Sequence, residues 1–345
     1  MTPRHTVRAA SAGAALALIL SGCSGTPEDP ADGVPGQLRI GYQSIPNGDL
    51  VVKHHAWLEE ALPDTEIVWN RFDSGGDVNT AFLAGELDIA LAGSAPVTRG
   101  LSQPLGIDYQ VPWIHDVIGD NEALAVTEGI DEVADLAGRT VAVPFASTTH
   151  YHLIAALDEA GLGTDDVQLL DLEPPDIQAA WQRGDLDAAF VWYPVLGQLY
   201  EQGASPLVTS GELAERGNVT ADLAVVSTGF AEDHPDALAT WVEQQDRAVS
   251  LLREDREEAL AAIAAELNLE PEEAAEQVDQ LVFLSAEEQA SGDYLGTADA
   301  PGALAEHLRL TAEFLAEQGE IDAAPDTTAF ENALAPAGAE HAARP

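Results

Sequence analysis

Cysteine occurs once in these 345 residues, at Cys23, and lysine once, at Lys53. A lone cysteine excludes an intrachain disulfide framework and any metal site built on two thiolates. Positive charge is scarce: 14 Lys and Arg stand against 60 Asp and Glu, a formal charge of −46. Such a chain repels phosphate backbones, which argues against nucleic acid as a partner. Long apolar runs are missing too. The candidate stretch, Ala9–Leu20, is too short to span a bilayer as a helix. There is no HExxH, no GxSxG and no phosphate-binding loop. The pairs His54/His55 and His150/His152 have the wrong spacing to share a helix face, so neither makes a good metal pair. No cofactor and no metal are expected.

What is present begins with MTPRHTVRAASAGAALALILSGCSG. A basic start (Arg4, Arg8), a short apolar run and Leu-Ser-Gly-Cys resemble a lipoprotein signal, with residues 1–22 removed and diacylglycerol on Cys23. An ordinary secretory leader that happens to contain cysteine is the alternative. Residues 23–36 are rich in Pro, Gly and acids and are expected to form a tether. The last residues, 333–345, read as a disordered tail.

From Gln37 the pattern alternates. QLRIGYQ and EIVWNRF read as strands, and Leu50–Leu62 between them reads as a helix. Alternation of this kind predicts an α/β fold with mainly parallel sheets. One frame occurs twice: AFLAGELDIA (Ala81–Ala90) and AWQRGDLDAA (Ala180–Ala189) share Ala, an aromatic, Gly, an acid, Leu, Asp and Ala at equal spacing. The glycine ends a helix in the left-handed conformation and the chain turns at once into a buried strand. The aspartates Asp88 and Asp187 are expected to bond backbone at that joint. Two copies point to two similar α/β lobes.

Polar helix entrances are doubled as well. GSAPVTRGL follows one predicted strand, and ASTTHYHL follows another. Helix N-termini expose unpaired N–H groups and attract anions. In open sheets ligands sit beyond the carboxyl ends of strands, where such helices begin. A single Ser or Thr would suffice as a cap, whereas Ser147, Thr148 and Thr149 run together before His150. Two facing entrances make a clamp that closes about a hinge. The helices after Thr228 carry long acidic, solvated faces, and their apolar stripes are expected to pack on the first lobe.

At this point the chain resembles the substrate-binding proteins of taurine ABC importers, within the aliphatic sulfonate, nitrate and taurine group. The resemblance covers roughly 38–330 and is densest in FDSGGDVNTAFLAGELDIALAGSAP, NEALAV, GRTVAVPFASTTHYHLIAAL and EPPDIQAAWQRGDLDAAFVWYP. It implies a type II periplasmic-binding-protein fold, two α/β lobes around a hinged ligand cleft. Lobe 1 is expected at 37–123 and 223–332, lobe 2 at 124–222. It further implies a monomeric extracytoplasmic binder, not an enzyme, held to the membrane by its lipid and served by a permease and an ATPase. The chain departs from the family at Trp113, His115 and Asp116, which are expected either to reach the cleft or to pack within the lobe.

A sulfonate offers three acceptor oxygens, and hydroxyls and backbone N–H groups satisfy it without a bulky cation. Ser94, Ala95, Ser147, Thr148, Thr149 and His150 are the candidates for that end. An ammonium needs acceptors, for which Glu122 and Asp222 are the candidates. Trp192 and Tyr42 are candidates for an aromatic wall, and Gln43 for a further polar contact. The alternatives are a binder of another small sulfonate, alkanesulfonate or substituted aminosulfonate, and an enzyme on the same fold, the pyrimidine synthases of thiamine biosynthesis. The latter carry a cysteine-rich motif that is missing here.

Overall fold

A computed structural model describes residues 33–344. Cys23, the leader and most of the expected tether lie outside them. Two mixed β-sheets, each flanked by helices, share the chain.

The first segment runs β1 (Gln37–Gln43), α1 (Gly48–His54), α2 (Trp57–Ala61), β2 (Glu66–Phe72), α3 (Gly75–Leu83), β3 (Ile89–Gly93), α4 (Ser94–Leu101) and β4 (Tyr109–Ile118). The expected helix over 50–62 is broken: Ala56 adopts the left-handed conformation (φ 53°) between α1 and α2. The second segment builds the other sheet: β5 (Glu122–Val126), β6 (Thr140–Val143), α5 (Thr148–Glu159), β7 (Gln168–Asp171), α6 (Pro174–Arg183), β8 (Ala188–Trp192), α7 (Val195–Glu201), β9 (Ser205–Thr209) and α8 (Ser210–Glu215). The chain then returns to the first sheet with β10 (Ala221–Ser227). It continues through α9 (Thr228–Asp233), α10 (Pro235–Glu254), α11 (Arg256–Leu267), α12 (Pro271–Val278), β11 (Leu281–Val282), α13 (Ala286–Gln289), α14 (Leu304–Glu317), α15 (Thr327–Ala333) and α16 (Ala337–Ala342).

Strand order is β11-β4-β10-β3-β1-β2 in the larger sheet and β7-β6-β8-β5-β9 in the smaller. The pairs β1–β2, β1–β3, β6–β7 and β6–β8 are parallel. The pairings of β10 with β3 and β4, of β11 with β4, and of β5 with β8 and β9 are antiparallel. Mixed sheets therefore replace the expected mainly parallel ones. The cause is the crossing: β5 and β10 each enter a sheet from the other lobe and lie against the βαβ direction. Glu122 and Ala123 stand in the smaller sheet, and Ala221 and Asp222 in the larger, a residue or two from the expected boundaries.

The doubled frame is a doubled joint. Gly85 (φ 70°) ends α3 and Gly184 (φ 73°) ends α6, both in the left-handed region that glycine enters without penalty. Asp88 Oδ2 accepts from Arg39 N at 2.8 Å, and Asp187 Oδ2 accepts from Thr140 N at 2.9 Å. Each aspartate thus clamps the first residues of the neighbouring parallel strand, β1 or β6. Each also meets an arginine there, Arg39 or Arg139. This is the backbone role expected of both.

Helix α10 packs on α1 in the first lobe, as its apolar stripe predicts, whereas α12 packs on α11, which itself lies on α1. The tail is a correction: residues 337–342 form α16, whose Ala339 is fully buried and whose Gly338 lies against Val242 of α10. Small side chains let this helix approach closely, and a run of Ala and Gly gives no periodic signal of doing so.

Candidate functional site

The carboxyl ends of β1, β3, β6 and β8 point into the seam between the sheets. The crossing strands β5 and β10 begin there, because they run the other way. This arrangement brings Gln43, Gly93, Glu122, Ser147, Thr148, Trp192 and Asp222 to one cavity, with Ile45, Gly75, Pro96 and Asn121. The space is about 350 Å³ including its mouth.

One wall consists of helix beginnings. α3 starts at Gly75, α4 at Ser94 behind the cap Gly93, and α5 at Thr148 behind the cap Ser147. The first N–H groups of each lack intrahelical acceptors. Gly75 and Gly93 leave that backbone open to close approach: a Cβ on Gly75 would meet Pro96 Cγ at 2.6 Å, and one on Gly93 would meet Thr148 Cγ2 at 2.9 Å. The entrances of α4 and α5 therefore face each other from different lobes.

Ser147 is the cap of α5: its Oγ accepts from His150 N at 3.1 Å and donates to Pro144 O at 2.6 Å. Thr148 has another task. Its Oγ1 donates to Glu122 Oε1 at 2.5 Å. Glu122 Oε2 accepts from Ser210 Oγ at 2.9 Å, and Ser210 in turn lies 2.6 Å from His152 Nδ1. Glu122 is thus held by two hydroxyls from α5 and α8. Directly opposite it across the β5–β8 ladder is Trp192, so both project from one face of the smaller sheet.

Asp222 opens β10 on the facing lobe, 6% exposed. Burial first, then the nearby charge of Glu122, pushes its carboxyl up to about 8. Asp116, opposite it on β4, is fully buried, and burial followed by the charges of Asp222 and Glu122 holds its carboxyl well above the usual range. The floor therefore collects three carboxyl groups, with donor-rich helix ends above them.

Several expected site residues lie elsewhere. Ser94 sits behind the wall, its Oγ 3.4 Å from Ala221 N, and Ala95 is fully buried. Thr149 is buried against Ser147, 2.8 Å between hydroxyl oxygens. His150 faces away: Nδ1 accepts from Ala146 N at 3.1 Å, and the ring stacks on Phe145 at 4.6 Å. Burial lowers its imidazole to about 4, so it is neutral at ordinary pH. Tyr42 packs edge-on against Trp69 under Lys53. Trp113 and His115 pack inside lobe 1, His115 3.7 Å from Asp49 and edge-on to Trp241. Asn121, Gly75 and Ile45 were not expected. Asn121 was within reach as the residue before Glu122, and Gly75 as the first residue of a third helix entrance after a strand.

A family model described as the NMT1-like family matches residues 34–268. The chain is 33% identical to the taurine-binding periplasmic protein of Escherichia coli K12 over 261 residues, 74% of this chain and 78% of that one. It is 30% identical to a putative aliphatic sulfonates-binding protein of the same organism, over 69% and 74% of the two chains. Among solved structures, the periplasmic aliphatic sulphonate binding protein SsuA from E. coli superposes with a TM-score of 0.68 at 26% identity, covering 86% and 91%. The desulfurization enzyme DSZB shares the fold at 20% identity and a TM-score of 0.63, so the architecture alone serves binders and enzymes alike. The two lobes are those of a type II periplasmic-binding-protein fold, and the chain is a member of the NMT1-like family.

Proposed function

We propose that this protein is an extracytoplasmic substrate-binding protein that closes on taurine and delivers it to an ABC importer, anchored through lipid on Cys23. The observation that carries the reading is the pairing, within one cavity, of facing helix entrances with buried carboxylates. The free N–H groups of α3, α4 and α5 suit a sulfonate, whose three oxygens only accept. Asp222 and Glu122 suit an ammonium, and Trp192 offers an apolar wall to the two-carbon spacer. A zwitterion also approaches a chain of charge −46 without the repulsion a bare anion meets. Taurine and aliphatic sulfonates, the ligands for which the two E. coli relatives are named, agree with this chemistry.

A calorimetric and thermal-shift screen of taurine, ethanesulfonate, longer alkanesulfonates, sulfate, nitrate and ethylamine tests it. Taurine should raise the melting temperature most, since a ligand that binds only the native state stabilises it by mass action. Tighter binding of an alkanesulfonate without an amine would assign the site to a different sulfonate. Consumption of the ligand during the titration would make the protein an enzyme.

A further inference from the structure

Asp116 and Asp222 are directly paired across the antiparallel β4–β10 ladder, and the register jumps immediately afterwards, leaving His115 as the extra residue of a bulge. Directly opposed residues project from the same face with their Cβ atoms about 4.5–5.5 Å apart. Asp116 is 0% exposed, and neither of its oxygens accepts a hydrogen bond from any donor among the described residues. Neither aspartate has an ion-pair partner there. His115, the neighbour of Asp116, is directed to Asp49 of α1 and Trp241 of α10. The charged groups facing the pair are thus Glu122 on β5 and, behind it, His152 on α5.

Glu122 is compensated from the rear. His152 Nε2 lies 2.8 Å from the carbonyl of Asn218, which only accepts, so that nitrogen carries hydrogen. Its Nδ1 lies 2.6 Å from Ser210 Oγ, which lies 2.9 Å from Glu122 Oε2. Ser210 has one hydrogen for two such contacts. Both are satisfied if His152 donates to Ser210 and Ser210 to an ionised Glu122, or if a protonated Glu122 donates to Ser210 and Ser210 to neutral His152. Either way the unit is neutral overall.

Two opposed carboxylates in a dry site cannot both ionise, and an unpaired buried charge costs more than keeping a proton. From this geometry we infer that Asp116 is held as a neutral acid that donates its proton to Asp222, so that the floor gains one net negative charge when Asp222 ionises and is matched to a ligand with a single ammonium. Asp116 is then a positioning residue: it orients Asp222 and stays clear of the ligand. The direction in which burial and the charges of Asp222 and Glu122 push the Asp116 carboxyl agrees. The inference rests on the taurine reading for its ligand, and its proton count stands apart from it.

Asp116→Asn and Asp116→Leu test it. Asparagine keeps a donor toward Asp222 without a charge, so taurine affinity should stay within about threefold of the parent, with an unchanged pH profile. Leucine removes the donor, so affinity should fall about tenfold, 1.4 kcal/mol. Its melting temperature should stay near the parent's, because the desolvation cost of a buried acid is removed together with the bond it makes. Infrared spectra of the ligand-free proteins recorded above pH 8, where Asp222 is ionised, should show a protonated-carboxyl band in the parent that weakens in Asp116→Asn. Loss of tenfold or more in Asp116→Asn would mean an ionised Asp116 and overturn the inference, as would absence of that band in the parent. If the band is present but taurine does not bind, the proton count stands and the ligand assignment fails.

Discussion

A Cβ placed on Gly93 would lie 2.9 Å from Cγ2 of Thr148, across the seam between the two lobes. Gly93 itself has an ordinary backbone (φ −61°), so alanine would be unstrained within its own lobe. Its methyl would collide only when the lobes meet. Gly93→Ala should therefore leave the melting temperature of the ligand-free protein nearly unchanged and weaken ligand by about tenfold or more, 1.4 kcal/mol. Small-angle scattering should show a more open form with ligand present. An unchanged affinity would mean that closure does not need this contact.

Ser147 and Thr148 are neighbours with separable tasks. Ser147 caps α5, so Ser147→Ala should cost stability, about 1 kcal/mol, read as a fall in melting temperature. Thr148 instead reaches across to Glu122 at 2.5 Å. Thr148→Val removes a hydrogen bond to a charged or acid group and should weaken binding by about 1.5–3 kcal/mol, with Thr148→Ser retaining it. Loss of stability without loss of affinity in Thr148→Val would make that hydroxyl structural only.

How far the sequence reached depends on the range of the interactions. QLRIGYQ and EIVWNRF match β1 and β2 residue for residue, because a strand's alternation is local. The joints at Gly85 and Gly184 were legible because glycine marks a left-handed helix end, and an aspartate three residues later finds an N–H of the neighbouring parallel strand. The break at Ala56 was not, since alanine carries no signal for a positive φ. The antiparallel placing of β10 and β5 depends on the chain crossing between lobes, which no local pattern encodes. At the site, Gln43, Glu122, Ser147, Thr148, Trp192 and Asp222 meet at one cavity as strand ends and helix entrances imply. His150 departs because a helix turns its side chains through successive directions, and the fourth residue of the entrance points to Phe145 of its own lobe and Phe314 of the other. Asp116 was noticed as a departure from the family, but its partner across the ladder needed the register.

Those aromatics suggest a latch. Phe314 of α14 meets His150 at 5.5 Å and Tyr151 at 5.1 Å between ring centroids, both edge-on, joining the first lobe to α5 of the second. Aromatic pairs of this geometry contribute about 0.5–1.5 kcal/mol each. Phe314→Leu and Tyr151→Leu, with the double variant, form a cycle on ligand affinity. Each single change should weaken binding, and the pair should cost less than the sum, because both remove one contact. Strict additivity would mean that the contact does not contribute to closure.

Asp222 gives the sharpest test, because charge and pH report on it together. Its carboxyl is raised from the ordinary range to about 8 in the folded chain. A raised acid binds more protons folded than unfolded, so stability falls as pH rises from about 4 through 8. The ligand-free protein should therefore melt lower at pH 8 than at pH 5, and Asp222→Asn should flatten that slope. Ligand binding should show the opposite sign. An ammonium needs the ionised form, so taurine affinity should climb with pH up to about 8, releasing a proton as it binds. That release is measurable by calorimetry in buffers of different ionisation enthalpy. Asp222→Asn keeps the shape of the floor and removes the charge, which should cost taurine about 2–3 kcal/mol, as truncated charge pairs do. Ethanesulfonate, which lacks the amine, should bind the variant as well as the parent or better. Equal losses for both ligands would assign Asp222 to the crossing between lobes and leave the amine without its reader.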